Sequence, residues 1–92
     1  MIPATGDLVE GGVVEQAEQA LKNLGAILQK GGSSFGAVVK TTVILSTMDN
    51  FKLANDVYTK YFGEHRPARA CFAALQLPKG ALFEIEAVAM TE

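Results

Sequence analysis

"AVVKTTVILS", residues 37–46, is β-branched at every position from Val38 to Ile44 except Lys40. Such side chains are stiff at χ1 and pack well on a pleated surface, so the stretch predicts a strand and not a helix. Its flanks read differently. Before it, Val14, Ala17, Leu21, Leu24 and Leu28 recur at steps of three and four, with Glu15, Gln16, Glu18, Gln19, Lys22 and Asn23 filling most of the space between. That spacing predicts an amphipathic helix stopped by Gly31 and Gly32. After it, Phe51, Ala54, Tyr58, Tyr61 and Phe62 form a second apolar stripe, with Asp49 or Thr47 available as cap and Gly63 as the stop. Two extended runs follow, "ARACFAALQL" (68–77) and "LFEIEAVAM" (82–90), and the short "PKGA" between them predicts an antiparallel hairpin. Upstream, "IPATGDLVEGG" (2–12) carries the turn chemistry of Pro3, Gly6 and Asp7.

The order helix, strand, helix, strand, strand predicts an α+β domain. A right-handed strand–helix–strand crossover would put both helices on one face of the sheet. The pleat then divides the strands. In the last one, Phe83, Ile85, Ala87 and Ala89 share a face, and Leu82, Glu84, Glu86 and Val88 share the other. In the first, Val39, Thr41, Val43 and Leu45 face one way, yet Val38, Thr42 and Ile44 make the opposite face apolar too. Leaving that aliphatic surface in water costs roughly 25 cal/mol per Å². In so small a domain the expected cover is another copy of the chain.

Ninety-two residues fit one domain, and 49% hydrophobic against 20% charged residues is the balance of a packed globular chain. The net charge is −2 with no basic run, which argues against nucleic-acid binding through phosphates. A single cysteine, Cys71, permits no intramolecular disulfide and suits a reducing compartment. There is no basic-then-apolar leader and no apolar run long enough to span a bilayer, so a soluble, cytoplasmic protein is expected, with the mitochondrion as alternative. No phosphate-loop glycine pattern and no metal-ligand spacing is present.

The chemistry concentrates in "HRPARACF", residues 65–72, which holds two arginines and the only histidine and cysteine. Alternation puts Arg69, Cys71, Ala73, Leu75 and Leu77 on one face of the strand and Ala68, Ala70, Phe72 and Ala74 on the other. The second set, small plus one aromatic, suits packing beneath helices, so Arg69 and Cys71 are expected on the face that carries Glu84 and Glu86. Two readings stand open. One is a structural Arg–Glu pair across strands at a subunit contact. The other is a guanidinium fork for a carboxylate ligand, with a nearby carboxylate to handle protons. His65 reads as a solvated loop residue, Cys71 as a small buried hydrophobe, and Tyr58, Tyr61 and Phe62 as core.

In this order, "PATGDLV" (3–9), "QALKNLGAIL" (19–28), "VVKTTVILSTMDNF" (38–51), "YFGEHRPARAC" (61–71) and "LPKGALFEIEAVA" (77–89) closely resemble the RidA family, also called YjgF, of reactive-intermediate imine deaminases. The resemblance covers essentially the whole chain, residues 1–92, as one RidA-like domain. It implies a chorismate-mutase-like α+β fold and a homotrimer built sheet to sheet, with ligand clefts between subunits. It implies hydrolysis of 2-aminoacrylate and related enamines and imines to 2-keto acids and ammonia, without metal or organic cofactor. Residue by residue, Arg69 corresponds to the arginine that clamps the substrate carboxylate, and Cys71 to a cleft cysteine whose backbone matters more than its thiol. Glu84 corresponds to the acid that positions the attacking water, and Asn55 to an asparagine near the site. Family members usually begin with a hairpin carrying "GPYSQ"-like and "SGQ"-like segments. This chain starts at "MIPATGD", so a sheet two strands shorter is expected. The alternatives are a non-catalytic trimeric module that binds small carboxylates or a protein, and the translation-inhibitor or endoribonuclease activity associated with the family. The acidic charge argues against direct RNA catalysis.

Overall fold

The computed structural model describes residues 11–74, 76–77 and 80–91. The turn around Pro3, Gly6 and Asp7, and Leu75, Pro78 and Lys79 of the expected hairpin, lie outside the described residues. Helix α1 (Val13–Lys30) starts where the Gly12 amide donates to the Glu15 carboxylate at 2.7 Å. It ends in a Schellman motif. The Ser33 amide reaches the Leu28 carbonyl (2.8 Å) and the Gly32 amide that of Gln29 (3.1 Å), with Gly32 at φ +77°. A 3₁₀ turn (Phe35–Ala37) leads into β1 (Val38–Leu45). The Thr47 hydroxyl accepts from the Asp49 amide and opens a second 3₁₀ turn that runs into α2 (Phe51–Phe62). Strands β2 (Ala68–Ala73) and β3 (Phe83–Ala89) complete the described elements.

The described sheet is three-stranded in the order β2-β1-β3, with β1 parallel to β2 and antiparallel to β3. The expected β2–β3 hairpin is therefore wrong. The crossover through α2 returns β2 alongside β1, and β3 takes the opposite edge. The connection instead clasps the end of β1: the Ala74 amide bonds the Leu45 carbonyl (2.9 Å), and the Ser46 amide bonds that of Leu82 (3.2 Å). The faces of β1 need a second correction. A register shift between Val38 and Lys40 turns Val38 into the core, fully buried, while Val39 is 49% exposed.

Both helices cover one face. Val13, Ala17, Leu21 and Leu28 of α1 meet Ala54, Val57, Tyr58 and Phe62 of α2 over Val38, Val43, Leu45 and Phe83. Gln16, buried in this layer, accepts from the Leu82 amide at 2.8 Å and so ties α1 to the start of β3. Glu18 joins the helices through Tyr61 (3.0 Å) and Lys60, whose ammonium holds the Glu18 carboxyl below its usual range. The far face of the sheet is open and mixed: Phe72 is 48% and Val88 58% exposed there, alongside the exposed Lys40, Glu84 and Glu86. Among the described residues no helix is long and apolar enough to cross a membrane.

One buried polar pair links β1 to α2: the Thr41 and Tyr58 hydroxyls share a hydrogen bond of 2.9 Å. Thr41→Val leaves a buried phenol without its partner, at a cost of about 1–3 kcal/mol. The double variant Thr41→Val/Tyr58→Phe should lose clearly less than the sum of the single losses in urea unfolding. Strict additivity would mean that the hydroxyls do not couple.

Candidate functional site

The register fixes where the residues of "HRPARACF" go. Arg69 lies level with Thr41, Cys71 with Val43 and Ala73 with Leu45, all on the face that the helices cover. Ala68, Ala70 and Phe72 lie on the open face. The expected assignment is reversed, and the reason is the strand's position. Among the described residues β2 is an edge strand, and a long arginine there can lay its stem along α2 and keep its head in water.

Three groups hold the Arg69 guanidinium. Its Nη1 donates to Asn55 Oδ1 at 2.5 Å, and its Cζ stands 4.8 Å from the Tyr58 ring centroid and 5.6 Å from that of Phe51. Tyr58 is itself held by Thr41 and by stacking on Phe62 at 4.4 Å. A guanidinium seated on aromatic faces and bonded at one corner is preorganised, and its remaining donors suit a planar anion. Arg69 and Asn55, which the sequence suggested separately, are thus brought together. Tyr58 and Thr41 were missed as parts of the site, because an aromatic at helical spacing reads as core.

Cys71 sits on the same face two positions along, half-buried and reduced. Burial pushes its thiol above the ordinary range, and the Arg69 charge opposes this more weakly. The thiolate is the reactive form, so iodoacetamide should alkylate Cys71 at pH 8 more slowly than it alkylates free cysteine. Mass spectrometry over time checks this, and an equal or faster rate would contradict it.

Glu84 is not brought to the site within one chain. It pairs with Ile44 in register and is exposed on the open face of β3, whereas Arg69 lies on the helix-covered face of β2. Two strand spacings, about 10 Å, separate β2 from β3. His65 also departs from expectation. Its Nε2–H donates to the Val38 carbonyl at 2.6 Å, which serves the backbone group left over at the start of β1. Arg66 is exposed, as expected, but not free in solution: its Nη1 bonds the Gly63 carbonyl and, at 3.3 Å, that of His65.

A cleft of about 500 Å³ opens between α2 and the edge of β2. Asn55, Tyr58, Thr59 and Phe62 form one wall, and Arg66, Pro67 and Arg69 the other. A smaller cavity of about 190 Å³ lies against Lys40, Thr42, Glu86, Ala87 and Val88.

The family model described as Endoribonuclease L-PSP matches residues 1–91. The human protein named 2-iminobutanoate/2-iminopropanoate deaminase is 51% identical over 90 residues, which are 98% of this chain and 66% of the human one. The chain thus spans just under two thirds of the mammalian relatives it matches. Among solved structures, one from Thermotoga maritima superposes with a TM-score of 0.95 at 50% identity, over 100% of this chain and 72% of that one. Escherichia coli TdcF, with bound serine, superposes with a TM-score of 0.89 at 36% identity, over 98% of this chain and 72% of that one.

Proposed function

The chain belongs to the endoribonuclease L-PSP family, the RidA/YjgF family of its sequence resemblance, and on that premise we propose that it hydrolyses reactive imines to 2-keto acids and ammonia. The observation that carries this reading is the fixed Arg69 fork, bonded to Asn55 and seated on Tyr58 at the mouth of a cleft. Such a fork fits the carboxylate shared by 2-imino acids and their 2-aminoacrylate-type enamine tautomers.

The chemistry asks little more of the protein. An enamine becomes an imine by protonation at carbon. Water then adds to the electrophilic C=N carbon, giving a carbinolamine whose C–N bond breaks to release ammonia and leave the keto group. Arg69 holds the carboxylate, the backbone at Cys71 lines the site, and Glu84 accepts a proton from the water and aims it. Orientation and general-base help of this kind contribute roughly 10²–10⁴-fold. Because Glu84 and Arg69 occupy opposite faces of one sheet, Glu84 reaches the cleft only from a second copy. In a homotrimer, a neighbour whose open sheet face meets the β2 edge supplies that copy.

The placement of Glu84 also favours a second reading, a carboxylate-binding module without catalysis. The ribonuclease in the family description finds no support in a chain of net charge −2 without a basic run. Keto-acid release from enzymatically generated 2-aminoacrylate separates the two readings. The first expects the protein to accelerate release and Arg69→Ala to remove the acceleration. Binding of a 2-keto acid with no acceleration leaves only the second.

A further inference from the structure

Arg69 does not face the cleft alone. Arg66 lines the same wall across Pro67, and none of the side chains lining this cleft is an Asp or a Glu. Each arginine is pinned by neutral acceptors, Arg69 by Asn55 and Arg66 by the Gly63 and His65 carbonyls. Neither has a salt bridge among the described residues, in a chain whose net charge is negative. Two cations held on one concave wall repel each other, and burying further surface there without an anion would cost more. A guanidinium has five N–H donors, and the carbonyl contacts of Arg66 engage only Nη1. The cleft, at about 500 Å³, lies within the roughly 300–1,000 Å³ of pockets that enclose ligands larger than a three-carbon acid.

The geometry points to a second anion subsite at Arg66, so that the cleft selects 2-imino and 2-keto acids bearing a second carboxylate over those with an alkyl tail. The inference rests on the reading of Arg69 as the clamp for the first carboxylate. Arg69 holds the carboxylate next to the reacting carbon, and Arg66 takes the distal one. Thr59 lines the opposite wall and brings a hydroxyl to the same cleft. Pro67 restrains the backbone between the two arginines, which keeps their spacing set before the ligand arrives.

The test compares 2-oxoglutarate with 2-oxopentanoate, equal in carbon count and different in the distal charge, by calorimetric titration. Wild type should bind 2-oxoglutarate at least about tenfold more tightly. Arg66→Gln should bring the two ligands to parity without weakening 2-oxopentanoate, Arg66→Lys should restore part of the preference, and Arg69→Lys should weaken both. Equal affinity in wild type, or a preference that survives in Arg66→Gln, overturns the inference while leaving the Arg69 clamp intact. A change in sedimenting mass for Arg66→Gln overturns it too, by assigning Arg66 to a subunit contact. If neither acid binds to wild type, the Arg69 clamp falls and the subsite with it.

Discussion

Arg69→Lys lowers affinity for 2-oxobutanoate at least about tenfold, a loss near 1.4 kcal/mol, whereas Arg66→Lys leaves it almost unchanged. The difference follows from how each guanidinium is used. Arg69 spends one N–H on Asn55 and lies against the Tyr58 and Phe51 rings, so the guanidinium is held in place with four of its five N–H donors left for a ligand. An ammonium keeps the charge but loses the plane, the two-point grip on a carboxylate and the stacking. Arg66 can serve a one-carboxylate acid only at long range, and a lysine there retains that charge. Equal losses at the two positions, or a larger loss at Arg66, would move the clamp to the wrong residue.

The parts of the fold that could be read from sequence are those fixed by local chemistry. The β-branched run of β1, the apolar spacing of α1 and the glycine stop at Gly32 all act over a few residues, and each stands in the structure, whereas Thr47 caps the 3₁₀ turn before α2, whose own N-cap is Asn50. The alternation of β3 also held, with Phe83, Ile85, Ala87 and Ala89 toward the core and Glu84, Glu86 and Val88 exposed, except that Leu82, expected with the glutamates, packs against the core. What was not legible depends on partners distant in sequence. The pleat shows that Arg69 and Phe72 oppose each other, but not which of them faces the helices. Alanines at 68, 70, 73 and 74 leave both faces of β2 small, so burial energy does not choose. Likewise a Pro/Gly loop between two apolar runs fits a hairpin, unless a third strand is there to take the space between them. The bond from His65 to the Val38 carbonyl joins residues 27 apart and has no sequence signature.

The site was legible to a similar depth. Resemblance to the family named Arg69, Asn55, Cys71 and Glu84, and the structure assembles the first two and sets Cys71 beside them. Tyr58 and Thr41 had no signal of their own, since their part depends on the register between β1 and β2 and on the turn of α2 beneath it.

Arg69→Ala and Glu84→Gln chains, each with little deaminase activity of its own, should recover it when unfolded together and refolded as a mixture. Each single change removes one half of the proposed site: the carboxylate clamp in the first case, and in the second the proton acceptor, at roughly 10²–10⁴-fold. Glu84 is exposed on the open face of the sheet, where Val88 of β3 and Phe72 of β2 are exposed too, so the surface that needs a partner is also the surface that holds the acid. If sheet faces close around a threefold axis, the sedimenting mass is about three times the 9.8 kDa chain. Every cleft then takes Arg69 from one chain and Glu84 from its neighbour. In an equal mixture each position is intact about half the time, and the two are independent, so turnover should return to about a quarter of wild type. A site built within one chain predicts no recovery, because every chain in the mixture lacks one of the two groups. No recovery from a mixture whose trimers have formed would therefore place Glu84 outside the reaction or bring it to Arg69 within a single rearranged chain. Either result would contradict the sheet-to-sheet arrangement on which the proposed catalysis rests.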